Sequence, residues 1–359
     1  MIEGFFKTEK KAINEELEKF FNKLNKGEKE VLFADFNVQL KNFIIPENQK
    51  AKRIHPILLI AAFNGIINPM YLEDNINEIR EVSIAVEFLH SGHLIHDDLI
   101  DDDDFRRDNP SFHKQLEKEL LKIYKNVNKI EKNEKIPLYG RDLSILGGSL
   151  GYFLGLDVIR ASKFPNQLKL LAIKEYSEAL DFLIKGMIIE EYMEYHQITM
   201  TLEQYLNLAE MQRARIFEKS TKIGAILAKG NLQYQIKPLS DAMLKIGQAH
   251  AIRDDILDIE ADIKDKKKKF LYILAIQNTN EEQQKILNEI YRKPEVNNDD
   301  LDTVKYIFAK TNAIIVAEQF SKNLIQEAKG YLKDIYPDLN REQKDFFNEF
   351  SDYIYLREF

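Results

Sequence analysis

The sequence has 359 residues and no cysteine, and it is poor in proline and glycine, with 9 and 14. Without cysteine it can build no disulfide framework, no cysteine zinc site and no thiol nucleophile. A positive balance is lacking too: 51 Lys and Arg face 59 Asp and Glu, a formal charge of -8. With no basic tail, nucleic acid is not an expected partner. Long hydrophobic runs are also missing. Purely apolar stretches such as Ile57 to Phe63 fall far short of a membrane span. The N-terminal MIEGFFKTEKKAINEELEKF is charged throughout and has no signal-peptide core. The expectation is a soluble, cytoplasmic protein with no membrane span.

What remains is helix. Hydrophobic residues make up 44% of the chain, ample for a core. They recur at helical spacing, as in Ile13, Leu17, Phe20 and Phe21, or Leu324, Ala328, Leu332 and Ile335. Clean alternation is rare. The segments 56–67, 145–159 and 246–259 are apolar on more than one face, so they belong inside a bundle. The reading is an all-α, single-domain bundle over 1–359. Two segments differ from this background. Lys114 to Ile136 is Lys-rich and spaced for one exposed amphipathic helix. Asn297 to Asp302, NNDDLD, reads as a polar loop.

Two acidic pentads carry the chemistry. Asp97, Asp98 and Asp101 spell DDxxD within HSGHLIHDDLIDDDD, and Asp254, Asp255 and Asp258 repeat it within AHAIRDDILDIEAD, 157 positions later. On a helix each set projects carboxylates from one face. A carboxylate cluster on a semi-apolar helix is costly unless neutralised. Two such clusters suit Mg²⁺ held by carboxylates and substrate phosphate oxygens. Cations accompany them: Lys52 and Arg53 in AKRIHP, Arg106 and Arg107 in FRRDNPSFH, and the run Lys266 to Lys269. Forked guanidinium groups and lysine point charges are what a diphosphate requires.

AKRIHP, then EFLHSGHLIHDDLIDDDDFRRDNPSFH, then IGQAHAIRDDILD resembles the trans-isoprenyl diphosphate synthases, from about Lys52 to the terminal YLREF. The resemblance implies a bundle around a deep central cavity, in a homodimer. It implies that the six aspartates Asp97, Asp98, Asp101, Asp254, Asp255 and Asp258 bind Mg²⁺, three ions with substrate present. Arg106 would hold the allylic diphosphate. Lys52, Arg53, His90 and Arg107 would bind isopentenyl diphosphate. No protein nucleophile is needed for that reaction, in keeping with the missing cysteine. Phe217 is a candidate to stabilise a carbocation, with a core phenylalanine as the plainer reading.

The chain departs from the family's pattern in its cations. His55 stands where an arginine is expected, and Gln212 replaces a lysine, with Arg213 next to it to supply the charge. Ala251 also departs from the pattern, and Lys267 aligns with a lysine after the second motif. For product length, the resemblance points to the floor residues Leu89, Gly92 and His93; glycine at 92 leaves room and favours C20 or longer. Three rivals have sequence support. A terpene cyclase of the same fold would explain His55 and Gln212. A metal phosphohydrolase would use His90, His93 and the His96–Asp97 pair. A non-catalytic synthase subunit would need neither complete motif.

Overall fold

Helix dominates the architecture, as the apolar spacing requires. The structure, a computed structural model, describes residues 2–123 and 129–356. The first of two compact units comprises Met1–Leu180 with Ile223–Gly230. It holds α1 (Ile2–Gly27), α2 (Val31–Ile44), α3 (Ile54–Ile66) and α4 (Leu72–Ile100). A short hairpin follows, β1 (Phe105–Arg106) antiparallel to β2 (Asn109–Pro110), then α5 (Phe112–Ile123) and α6 (Lys129–Ala161). The next helix, α7 (Asn166–Tyr195), begins in this unit and runs on into the second.

Helix α3, IHPILLIAAFNGI, has no polar face and is buried from His55 to Gly65. It packs on α4, which is buried at nearly every position from Val82 to Ile95. Side chains such as Phe88 and Leu89 each contribute about 1.5–3 kcal/mol by leaving water. Helix α4 also packs on α6, and the two backbones approach through glycine. A Cβ added to Gly155 would lie 2.6 Å from the Ala85 carbonyl oxygen.

The Lys-rich stretch is not one exposed helix. Phe112 and Leu116 bury the inner face of α5 against α2 and α6, and the last part of the stretch opens α6. Residues 124–128 of it lie outside the described residues. Residues 134–161 of α6 form the one helix among those described that is long and apolar enough to cross a membrane. Polar residues such as Ser144, Ser149 and Asp157 interrupt it, so no purely apolar run marks it in the sequence. Its outer face leaves Ile145, Leu146 and Phe153 exposed.

The second unit comprises Asp181–Lys222 with Asn231–Phe359. After α7 come α8 (Leu202–Ala209), a π-helical turn at Glu210–Ala214, and α9 (Arg215–Leu227), whose end returns to the first unit. Its centre is α10 (Lys237–Leu257). Helices α11 (Ile259–Lys264), α12 (Phe270–Asn278), α13 (Glu281–Ile290) and α14 (Asn298–Lys310) follow, then α15 (Ala313–Lys333) and α16 (Arg341–Leu356). Helix α10 packs on α15 and α16, over the fully buried Phe346, Phe347 and Phe350. NNDDLD is not a loop. Asn297 caps α14 by accepting from the Asp300 N–H at 2.9 Å, and Asp299 and Asp300 fill the first turn. Asn as cap with acidic residues behind it is a helix start.

Candidate active site

The first motif ends α4. Asp97 and Asp98 occupy its last turn, and the Asp101 N–H closes it on the Asp97 carbonyl at 2.9 Å. Asp98 is fully buried. Its Oδ1 accepts from Arg106 Nε at 2.6 Å and from Arg106 Nη2. Arg106 also reaches Asp97 Oδ2 at 3.3 Å and Asp103 Oδ2 at 3.6 Å. Burial pushes the Asp98 carboxyl up to about 6, against the downward pull of Arg106. Its other oxygen, Oδ2, is buried with no hydrogen-bond partner. An orphaned, buried carboxylate oxygen among hard oxygen donors fits Mg²⁺. Among the described residues no three carboxylates or imidazoles already converge on one point. That suits an ion completed by substrate oxygens and water rather than by a protein cage.

The hairpin after the motif aims its arginines. Phe105 pairs with Pro110 and Arg106 with Asn109, so Arg107 and Asp108 form a two-residue tip. Both lie in the left-handed region, at φ 55° and 60°, as a tight hairpin turn demands. The tip is tied down by the loop before α3. Asn48 donates to the Arg107 carbonyl at 2.7 Å, and Lys50 pairs with Asp108.

The structure brings the remaining first-unit residues to this neighbourhood with different fates. Lys52 is exposed. His55 on α3 and His90 on α4 meet edge to face, with ring centroids 4.8 Å apart. Arg53, expected to face a diphosphate, is buried instead: it pairs with Glu87, donates to Asn14 at 2.9 Å and donates to the Ile44 carbonyl at 2.7 Å. A fork committed to three protein groups positions the start of α3, where Arg53 itself is left-handed at φ 60°. The lone Glu87 inside VSIAVEFLH was the available signal, because a carboxylate in an apolar helix needs a buried partner.

Gly92 also corrects an expectation. It does not open space. An added Cβ would lie 2.7 Å from the Gly148 carbonyl oxygen and 2.9 Å from the Tyr152 ring, so α6 fills the gap. Tyr152 in turn lies against His96, its hydroxyl 3.3 Å from Nδ1. Leu89 and His93 are buried.

The second motif ends α10 in the same way, with the Asp258 N–H on the Asp254 carbonyl at 2.8 Å. His250 Nδ1 lies 3.0 Å from Asp254 Oδ2. Asp255 is buried, and its Oδ2 accepts from the Tyr205 hydroxyl at 2.7 Å and the Phe270 N–H at 3.0 Å. Burial raises it to about 6, while Lys269 and these hydrogen bonds pull down. Lys269 itself bonds Asp262 at 2.8 Å. Lys267 lines a small cavity with Asp255, Asp262, Lys269 and Tyr291. Arg213 rides on the π-helical turn, close enough to act electrostatically on Tyr205 and Lys269; such turns are frequent at functional sites. Gln212 is committed to Glu190 at 2.6 Å. Phe217 is core, stacked on Phe350 and tilted against His250. Tyr205 was missed, since its partner Asp255 lies 50 residues away, and Lys269 was read only as the end of a basic run.

A family model described as polyprenyl synthetase matches residues 43–310. A short chain isoprenyl diphosphate synthase of Methanocaldococcus jannaschii is 27% identical over 303 residues, 80% of this chain and 78% of that protein. A geranylfarnesyl diphosphate synthase of Aeropyrum pernix is 25% identical, over 78% of this chain and 84% of that one. Among solved structures, a geranylgeranyl pyrophosphate synthase of Corynebacterium glutamicum, complexed with isoprenyl diphosphate and magnesium, is similar in fold. Its TM-score is 0.84 at 20% identity, over 99% of both chains.

Proposed function

This chain belongs to the polyprenyl synthetase family, and we propose that it condenses isopentenyl diphosphate with an allylic diphosphate, giving a trans-prenyl diphosphate of C20 or longer and free diphosphate. The observation that carries the reading is the pair of DDxxD helix ends, each with one buried aspartate raised to about 6. The length rests on relatives named for C20 and C25 products, not on space at Gly92.

Asp97, Asp98 and Asp101 would hold Mg²⁺ at the first motif, and Asp254, Asp255 and Asp258 at the second. Bound there, Mg²⁺ supplies the positive charge that stabilises the departing diphosphate. Asp98 and Asp255 are the two buried members, and Asp97, Asp101, Asp254 and Asp258 supply the remaining oxygens. Arg106 moves its fork from the carboxylates to the allylic diphosphate. Lys52, His55, His90 and Arg107 bind isopentenyl diphosphate, whose double bond attacks the allylic cation; the resulting cation loses a proton to the released diphosphate and leaves the new double bond. Arg53 holds the start of α3 in place. Arg213 and Lys267 add cations beside the second motif. Apolar walls, Leu89 among them, exclude water from the cation.

The exposed apolar face of α6, with Leu170 and Leu171 on α7, supports a homodimer. Helix α7 runs unbroken from one unit into the other, which supports one domain over 1–359. A soluble cytoplasmic enzyme is the setting this reading favours. The test is incubation with Mg²⁺, labelled isopentenyl diphosphate and C5 to C20 allylic diphosphates. Label in a C20 or longer prenyl diphosphate is the expected result. Diphosphate release from the allylic substrate alone would instead mark a cyclase.

A further inference from the structure

The N-terminal helix lies outside the residues matched by the family, yet it reaches the cation cluster. Lys10 of α1 donates to the Gln49 carbonyl oxygen at 2.6 Å. The next residue back, Asn48, donates to the Arg107 carbonyl at 2.7 Å. One short loop, residues 46–50, therefore holds Lys10 on one side and the hairpin tip on the other. Asn14, one turn along α1 from Lys10, takes the Nε of Arg53. Lys10, Arg53 and Arg107 thus gather around a single loop. The carboxylates nearby are engaged: Glu87 pairs with Arg53, and Asp108 at the tip pairs with Lys50 of the loop.

Charge of one sign gathered like this requires an anion. The Lys10 ammonium has three N–H groups. Among the described residues its one hydrogen bond goes to a neutral carbonyl, and no carboxylate pairs with it. The Arg107 guanidinium likewise has no hydrogen bond or ion pair among the described residues, its backbone carbonyl aside. The groups feel one another: burial first, then Arg53 and Arg107, hold the Lys10 ammonium below its ordinary range. An imidazole at position 55 carries charge only when protonated. The neighbourhood is therefore short of one permanent cation on α3, while α1 presents one from the outside.

We propose that Lys10 is a further diphosphate-binding residue, supplying to isopentenyl diphosphate the permanent positive charge that His55 does not. The inference rests on the proposed prenyl transfer, but its readout need not. Isopentenyl diphosphate is titrated calorimetrically into the full-length protein without Mg²⁺, for the wild type and for Lys10→Met, Lys10→Arg and Lys11→Ala. Lys11 is the control, a neighbour on α1 that is largely exposed and near Glu15.

Lys10→Met is expected to weaken binding about tenfold, Lys10→Arg to restore most of it and Lys11→Ala to change nothing. In turnover the same loss should raise KM for isopentenyl diphosphate and leave kcat and the allylic KM within about twofold. Unchanged binding in Lys10→Met overturns the proposal. So does an equal loss in Lys10→Met and Lys10→Arg, which would make position 10 a matter of shape. A wild type that binds isopentenyl diphosphate yet forms no product would sink the reaction alone, leaving the binding result to decide on Lys10.

Discussion

The two aspartate motifs, DDLID and DDILD, are spelled almost alike and are held in opposite ways. Each ends a buried helix, and each buries its second aspartate. In the first unit a side-chain charge answers that burial: Arg106, from a hairpin eight residues on, spans Asp97, Asp98 and Asp103. In the second unit the answer is the charge of Lys269, itself held by Asp262, together with fixed dipoles: a tyrosine hydroxyl and the N–H that begins α12. A guanidinium on a short hairpin can exchange one anion for another at little cost to the fold. A backbone N–H at a helix start cannot. The first motif is therefore built to change partners, and the second to stay where it is.

The largest effect should fall equally on both motifs. Asp97→Ala and Asp254→Ala are each expected to lower kcat on the order of a thousandfold in a product-formation assay, by removing an oxygen from the proposed metal shell. A difference of more than tenfold between them would break the parallel.

Stability should then separate the motifs. Asp255→Ala strands the Tyr205 hydroxyl and the Phe270 N–H, and should cost about 2–4 kcal/mol in urea unfolding of metal-free protein. Asp98→Ala leaves Arg106 with Asp97 and Asp103 near the surface, and should cost under about 1 kcal/mol. Equal losses would refute the distinction between a replaceable and a fixed support.

Arg106→Ala tests the exchange itself. It should raise KM for the allylic diphosphate by about ten- to thirtyfold while leaving that for isopentenyl diphosphate little changed. Tyr205→Phe is the mildest probe. It keeps the ring against Phe270 and removes one hydrogen bond to Asp255, for about 1 kcal/mol of stability in the same urea assay.

How much of this the amino-acid order discloses depends on distance along the chain. Both pentads, the all-helical architecture and the flanking cations are local patterns, and the structure places both pentads at helix ends. The supports are not local. Arg53 finds Glu87 34 residues away, and Tyr205 finds Asp255 50 away; neither pairing leaves a spacing to read. Gly92 misled for the same reason, because the space beside a glycine belongs to whatever the neighbouring helix puts there, and Tyr152 is 60 positions downstream. NNDDLD was a different case: its capping pattern was legible, and its polarity hid it.

The hairpin tip has an engineering consequence. Two consecutive left-handed residues are ordinarily the province of Asn-Gly, yet here they are Arg107 and Asp108. Arginine carries a Cβ into a backbone region that disfavours it, by about 1 kcal/mol or somewhat more. A screen for heat-resistant variants would therefore favour Asn-Gly at 107 and 108, with a melting temperature a few degrees higher. Those survivors would have discarded a guanidinium proposed to hold substrate. Thermal selection applied to this protein without an activity filter would drift toward a sturdier and poorer catalyst, and positions 107 and 108 are where that drift should first appear.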